Sequence, residues 1–193
     1  MAPGELGLTM SKNGWVSPKV EQLLDLFLAA AAEVGRPYAI GGALAMGAHG
    51  YRRNTDDVDA FVNHVDRIEW LRALRRQGLT VAPLFAGVHY IAYLPEHDDP
   101  EIRIDLLVPA EDPDLSAIEA PDSATIADRP AEIWPVDLLV IAKYRSTRPE
   151  DNADVGKMFE RGLFDPKSVR SIMLHMGERS LAQRFWKKYG GGR

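Results

Sequence analysis

The 193-residue chain contains no cysteine. That excludes a disulfide scaffold, a thiol nucleophile and any thiolate-held metal. It also lacks a surplus of positive charge. Twenty-three Lys and Arg stand against 28 Asp and Glu, a net charge of −5, which argues against indiscriminate coating of a phosphate backbone. The five histidines fall into no HExxH or similar ligand spacing. There is no GxxxxGK[ST] loop and no GxSxG elbow. No cationic start leads into an apolar signal core, so the cytoplasm is the expected location. The longest uncharged run, Gln77 to Pro95, is broken by Pro83 and Gly87. It alternates like two strands about a turn, whereas a membrane-spanning helix wants about 20 mostly apolar residues. No membrane association is expected.

What is present is an ordinary globular composition, 46% hydrophobic and 26% charged. A chain of this length buries roughly 70% of its unfolded surface. Helix signals open at Ser17-Pro18 and stop at Gly35, with Val20, Leu23, Leu24, Phe27, Leu28, Ala31 and Val34 on one face. Tyr38–Ile40 reads as a short strand running into Gly41-Gly42 and a brief helix, Ala43–His49. Further strands are expected over Val58–Asn63, Leu79–Phe85, Val88–Leu94 and Ile102–Val108, with a helix over Asp66–Gln77. The proline- and acid-rich stretch from Pro109 to Pro135 reads as loop, with one short strand near Ala124–Ala127. Four helices follow: Val136–Arg145, Glu150–Arg161, Pro166–Met176 and Glu178–Tyr189. The expected fold is α+β, a mixed sheet flanked by helices and followed by a C-terminal helical part. Residues 16–125 form the expected core, 134–189 a helical region packed on it, and 1–14 and 190–193 flexible tails.

The chemistry concentrates around two aspartates. Asp57 and Asp59 are two apart at the start of a strand, so their side chains share a face while Val58, Ala60 and Val62 supply the other. Clustered carboxylates repel unless a cation sits between them, and a hard divalent ion such as Mg²⁺ takes oxygen ligands. Asp105 likewise lies opposite the apolar face of its strand, together with Arg103 and Leu107. If that strand neighbours Val58–Asn63, three carboxylates converge. Gly41-Gly42, between a strand and a helix, leaves backbone N–H groups open to an anion. Singly, each feature has a plainer explanation: a solvated strand face, a turn, or an Asp105–Arg103 surface pair. Asp57-Val58-Asp59 also opens like a haloacid-dehalogenase phosphatase, but that motif wants Thr or Val where Phe61 stands.

Gly41-Gly42 followed by Arg53-Asn54-Thr55-Asp56-Asp57-Val58-Asp59, with the later strand Asp105, resembles the DNA polymerase β-like nucleotidyltransferase superfamily. The likeness is nearest to its small prokaryotic group related to abortive-infection nucleotidyltransferase toxins. A second block, Lys143, Arg148, Asp151 and Asp154, is similar to that group's helical half, departing at Ser146 and Glu150. The resemblance spans residues 35–160. It implies transfer of NMP from an NTP to a hydroxyl, with Asp57, Asp59 and Asp105 as catalytic residues and ligands of Mg²⁺, or alternatively Mn²⁺. It implies nucleotide binding by Gly41, Gly42, Arg53, Thr55 and Lys143. The acceptor could be tRNA, a protein or a small molecule. A toxin-like role with an antitoxin-like protein partner is also implied, as is the alternative of a non-catalytic nucleotide- or protein-binding member.

Other residues read less sharply. Thr55 either touches the nucleotide or bonds its own turn. Lys143, ending an apolar run, either snorkels to water or reaches into a cleft, and the resemblance favours a phosphate contact. Asp151 reads as a first-turn helix acid and Arg148 as the partner of Asp151 or Asp154. His49 and His89 read first as satisfied polar residues near a core, with a place lining the cleft as the alternative for either. Arg179, Arg184, Lys187, Lys188 and Arg193 surround Phe185, Trp186 and Tyr189, a mixture that suits RNA but, at helical spacing, first of all docks the last helix.

Overall fold

The computed structural model describes residues 15–85, 87–96, 102–111 and 113–191. The tail at 1–14, Ala86 in the expected hairpin turn, and Arg193 lie outside them. The described residues form seven strands in one sheet and eight α-helices. Helix α1 (Pro18–Val34) leads to β1 (Tyr38–Ile40), α2 (Gly42–Ala48) and β2 (Asp57–Val62). A 3₁₀ turn (His64–Asp66), α3 (Arg67–Arg76), β3 (Thr80–Phe85), β4 (His89–Tyr93) and β5 (Arg103–Leu107) follow. Then come α4 (Asp114–Glu119), β6 (Asp122–Ile126), β7 (Arg129–Ile133) and the helices α5 (Val136–Arg145), α6 (Pro149–Glu160), α7 (Pro166–His175) and α8 (Arg179–Tyr189).

The strand order is β3-β4-β5-β2-β1-β7-β6. The sheet is mixed, with β2 parallel to β5, β1 parallel to β7, and the other neighbours antiparallel. Alternation gives it two unlike faces. Val58, Ala60 and Val62 of β2 and Ile104 and Leu106 of β5 are fully buried, and α1 packs across these two strands with α3 beside it. The helix start is held as its sequence implies: the Ser17 hydroxyl accepts the Val20 N–H at 3.3 Å, and Gly35 closes the helix at φ 61°. A Phe27–Trp70 stack, centroids 5.5 Å apart, joins α1 to α3.

One region departs from expectation. The stretch read as loop with one short strand holds α4 and a complete hairpin, β6–β7, that extends the sheet beyond β1. Its turn places Ala127 at φ 47° and Asp128 at φ 65°, the left-handed pair of a tight hairpin made without glycine. Further on, Phe185 and Tyr189 of α8 are buried against Tyr144, Phe159 and Phe164. The aromatics of the last helix therefore dock it, and its basic residues face solvent.

Candidate active site

β2 starts at Asp57 because the chain leaves the loop there and turns its odd-numbered side chains away from the core. β5 lies parallel beside it in a register that sets Asp105 directly against Asp59. The three carboxylates meet: one oxygen each from Asp57, Asp59 and Asp105 lies within 4.8 Å of the others.

Each carboxylate is held differently. Asp57 accepts the Thr55 hydroxyl at 2.6 Å, so Thr55 does bond its own turn, through the acid. Asp105 is buried; its Oδ1 accepts His89 Nε2 at 2.7 Å, and both its oxygens lie 3.1 Å from Arg103 Nε. No side chain among the described residues hydrogen-bonds the Asp59 carboxylate. Burial, then the charges of Asp57 and Asp105, push its pKa up to about 7, with Lys143 and Arg148 acting in the opposite sense.

The glycine pair serves this carboxylate. Gly42 sits at φ 55°, and a Cβ there would lie 1.7 Å from Asp59 Oδ2. The position therefore demands glycine twice, for its backbone and for the acid beside it. Gly41 donates its N–H to the Asp59 carbonyl at 2.8 Å, tying the α2 start to β2. A Cβ on Gly41 would strike the Phe61 ring at 2.7 Å.

Near the acids is a set of cations, Lys143 and Arg148 from the helical half and Arg53 from the loop before β2. Lys143 Nζ, buried at the end of α5, donates to Asp151 Oδ1 at 2.7 Å and Asp154 Oδ2 at 2.9 Å. Arg148 Nε donates to Asp151 Oδ2 at 2.7 Å, and Arg53 Nε lies 3.4 Å from Asp154. Burial alone would raise the Asp151 pKa, but the hydrogen bonds from Lys143, Ser146 and Arg148 outweigh it and hold the group below its ordinary value. Between acids and cations lies a polar cleft of about 380 Å³. Gly42, Asp57, Asp59 and Arg103 line it from the sheet side, Arg53 and Thr55 from the loop before β2, and Lys143 and Arg148 from the helical half. A second, more apolar cavity of about 240 Å³ adjoins it at Gly42, Asp59, Lys143 and Arg148, and runs back to Phe61, Leu107 and Trp134.

Of the residues singled out in the sequence, Gly42, Arg53, Thr55, Asp57, Asp59 and Lys143 line the polar cleft. Asp105 lies beneath it, against Asp59, and Gly41 lines neither cavity. Lys143 does not snorkel; it is committed to two aspartates while still bordering the cleft. His49 is satisfied as expected, Nε2 lying 2.7 Å from the Trp134 carbonyl. His89 belongs to the acid cluster instead, and the cleft positions of Arg103 and Arg148 were not assigned from sequence. The period-2 alternation of His89-Tyr90-Ile91-Ala92-Tyr93 shows which residues share a face with His89, but only the β4–β5 register brings it to Asp105.

The donor set is oxygen only, three carboxylates of which one, Asp59, has no side-chain hydrogen-bond donor among the described residues. That fits a hard divalent cation of the Mg²⁺ or Mn²⁺ kind.

No protein-family model and no curated protein matches the chain. Solved structures do. The solution structure of the antibiotic-resistance factor ANT(2'')-Ia superposes with a TM-score of 0.61 at 21% identity, over 84% of this chain and 94% of that one. ANT(2'')-Ia in complex with adenylyl-2''-tobramycin gives 0.55 at 18%, over 90% and 99%. The lincosamide antibiotic adenylyltransferase LnuA, lincomycin-bound, gives 0.51 at 12%, over 70% and 94%. At these identities the likeness establishes the fold: an α+β, nucleotidyltransferase-like mixed sheet flanked by helices.

Proposed function

We propose that the chain is a divalent-metal-dependent nucleotidyltransferase that moves NMP from an NTP to a hydroxyl acceptor. The observation that carries this reading is the convergence of Asp57, Asp59 and Asp105 across paired strands, with Gly42 pressed against Asp59 beside a polar cleft that Arg53, Arg103, Lys143 and Arg148 also line. A structural acid cluster would be neutralised by its own fold, as Asp151 and Asp154 are.

Asp57 and Asp59 would hold the ion, Mg²⁺ or Mn²⁺, against the triphosphate, and Asp105 would complete the set. When bound, the ion supplies charge neutralisation for the phosphates and Lewis acidity toward the attacking oxygen. The chain's own residues do the rest. Lys143, Arg148, Arg53 and Arg103 border the cleft and balance charge on the departing pyrophosphate. Gly42 lines the cleft, and its missing side chain leaves room for the Asp59 carboxylate to stand beside it. Asp105 would take up the proton of the acceptor hydroxyl as the hydroxyl oxygen bonds to the α-phosphorus and the α–β phosphoanhydride bond breaks, its electron pair leaving with pyrophosphate. The core drawn at 16–125 thus brings the acids, and the helical region drawn at 134–189 brings Lys143 and Arg148.

A small hydroxyl-bearing molecule is the favoured acceptor, because the structural neighbours carry an adenylylated tobramycin and a lincomycin. The toxin-like role, the antitoxin-like partner, and the tRNA or protein acceptor rest on sequence resemblance alone. The test supplies each α-labelled NTP with Mg²⁺ and a panel of aminoglycosides, lincosamides, tRNA and the protein itself. The expected result is label on one acceptor class, abolished by Asp57→Ala and by Asp59→Ala. Transfer that survives both substitutions contradicts the proposal.

A further inference from the structure

We propose that His89 is a positioning residue for Asp105, and that through it His89 sets the divalent-cation affinity of the three-aspartate cluster and the rate of transfer. The inference rests on the metal-dependent reading given above and adds to it a residue that this reading does not need.

The placement follows from strand register. β4 runs antiparallel to β5 with Ile91 opposite Asp105 and His89 opposite Leu107. His89 and Asp105 are therefore diagonal neighbours on one face, a separation that a long ring can bridge. It does so at 2.7 Å, from Nε2 to Oδ1. Because a carboxylate oxygen only accepts here, the imidazole donates. Asp105 is 5% exposed, so water is poorly placed to replace a lost donor. The neighbouring Asp59 and Asp57 charges push against Asp105, and a side chain free to rotate would turn away from them.

Among the described residues two side chains donate to this carboxylate, and they differ in kind. Arg103 Nε shares one hydrogen between both oxygens at 3.1 Å, from a side chain that also lines the polar cleft. Its positive charge competes with a cation for those same oxygens. His89 lines neither cavity. It reaches one oxygen from the adjacent strand and leaves the cleft clear. The Phe85 ring lies beside the imidazole, centroids 6.1 Å apart with the planes at 34°. A donor that orients a ligand without occupying the ligand site is how outer-shell groups tune metal affinity.

The experiment compares the wild type with His89→Ala, His89→Gln and His89→Asn. Gln places an amide N–H near the reach of Nε2; Asn is equally polar but too short. Mn²⁺ affinity is read by electron paramagnetic resonance in the presence of a non-hydrolysable ATP analogue, and kcat and KM from transfer to the acceptor found above. His89→Ala is expected to weaken Mn²⁺ binding about 10- to 100-fold and to lower kcat while the KM for NTP stays put. Gln should restore most of both losses and Asn little. Unchanged Mn²⁺ affinity in His89→Ala, or Gln and Asn variants that behave alike, overturns the proposal while leaving the nucleotidyltransferase reading intact. A wild-type chain that binds no Mn²⁺ removes the premise, and the proposal with it.

Discussion

The two walls of the cleft solve the problem of crowded carboxylates in opposite ways. On the helical wall, Asp151 and Asp154 are almost wholly buried, yet Lys143 sits between them and Arg148 and Arg53 complete the set. Asp151 is consequently held below its ordinary pKa. On the sheet wall, Asp57, Asp59 and Asp105 crowd together and Asp59 is pushed up to about 7. The first wall is finished by the fold, whereas the second is left with a charge that only an added cation or a proton can balance. That difference separates acids already paired by the fold from acids left for a cation, and it can be broken from either side.

The largest effect is expected on the sheet wall. Asp57→Ala or Asp59→Ala should lower transfer by about a thousandfold or more, the loss of several kcal/mol of transition-state stabilisation, measured as labelled product at saturating NTP. On the helical wall, Lys143→Met leaves two buried aspartates without their central cation. It should cost about 3–5 kcal/mol in denaturant unfolding, a destabilisation that no substitution in the sheet triad should match. Gly42→Ala sits between these cases. The left-handed backbone costs roughly 1–2 kcal/mol with a Cβ present, and the displaced Asp59 should remove activity out of proportion to that loss.

Asp59→Asn sharpens the contrast through pH. The carboxyl titrates near 3.8 when unfolded and near 7 when folded, so the folded chain holds the proton more tightly. Stability from this group is fully present below pH 3.8 and is lost as pH rises toward 7. The asparagine variant does not titrate. Its melting temperature should gain on the wild type through that window and level off above it. Added Mg²⁺ should then raise the wild type at pH 8 and leave the variant where it is. The smallest effect is expected for Thr55→Val, which removes one hydroxyl bond to Asp57. About 1 kcal/mol of stability should go, with a modest fall in activity.

The sheet wall was more readable than the helical one, where the Arg148–Asp151 pair was expected and the Lys143 contacts were not, and the reason lies in the range of the interactions. Asp57 and Asp59 declare a shared face within three residues, and the apolar alternation of Ile102, Ile104, Leu106 and Val108 declares the strand that carries Asp105. Their meeting needed a parallel register that no local pattern encodes. The β6–β7 hairpin escaped because its turn uses Ala127 and Asp128 where glycine or asparagine would mark it, and Pro130 sits inside a strand. Lys143 could be placed at the end of a buried helix, but its commitment to Asp151 and Asp154 depends on how α6 folds back against α5. His89 was the costliest omission: a lone histidine on a half-buried strand looks satisfied, and here its partner is the third aspartate.

The decisive question is where a cation sits. A crystal of the wild type soaked with Mn²⁺ and a non-hydrolysable NTP analogue should show an anomalous peak among Asp57, Asp59 and Asp105, with the triphosphate running toward Lys143 and Arg148. No peak at the three aspartates, or an analogue bound away from that cleft, would contradict it.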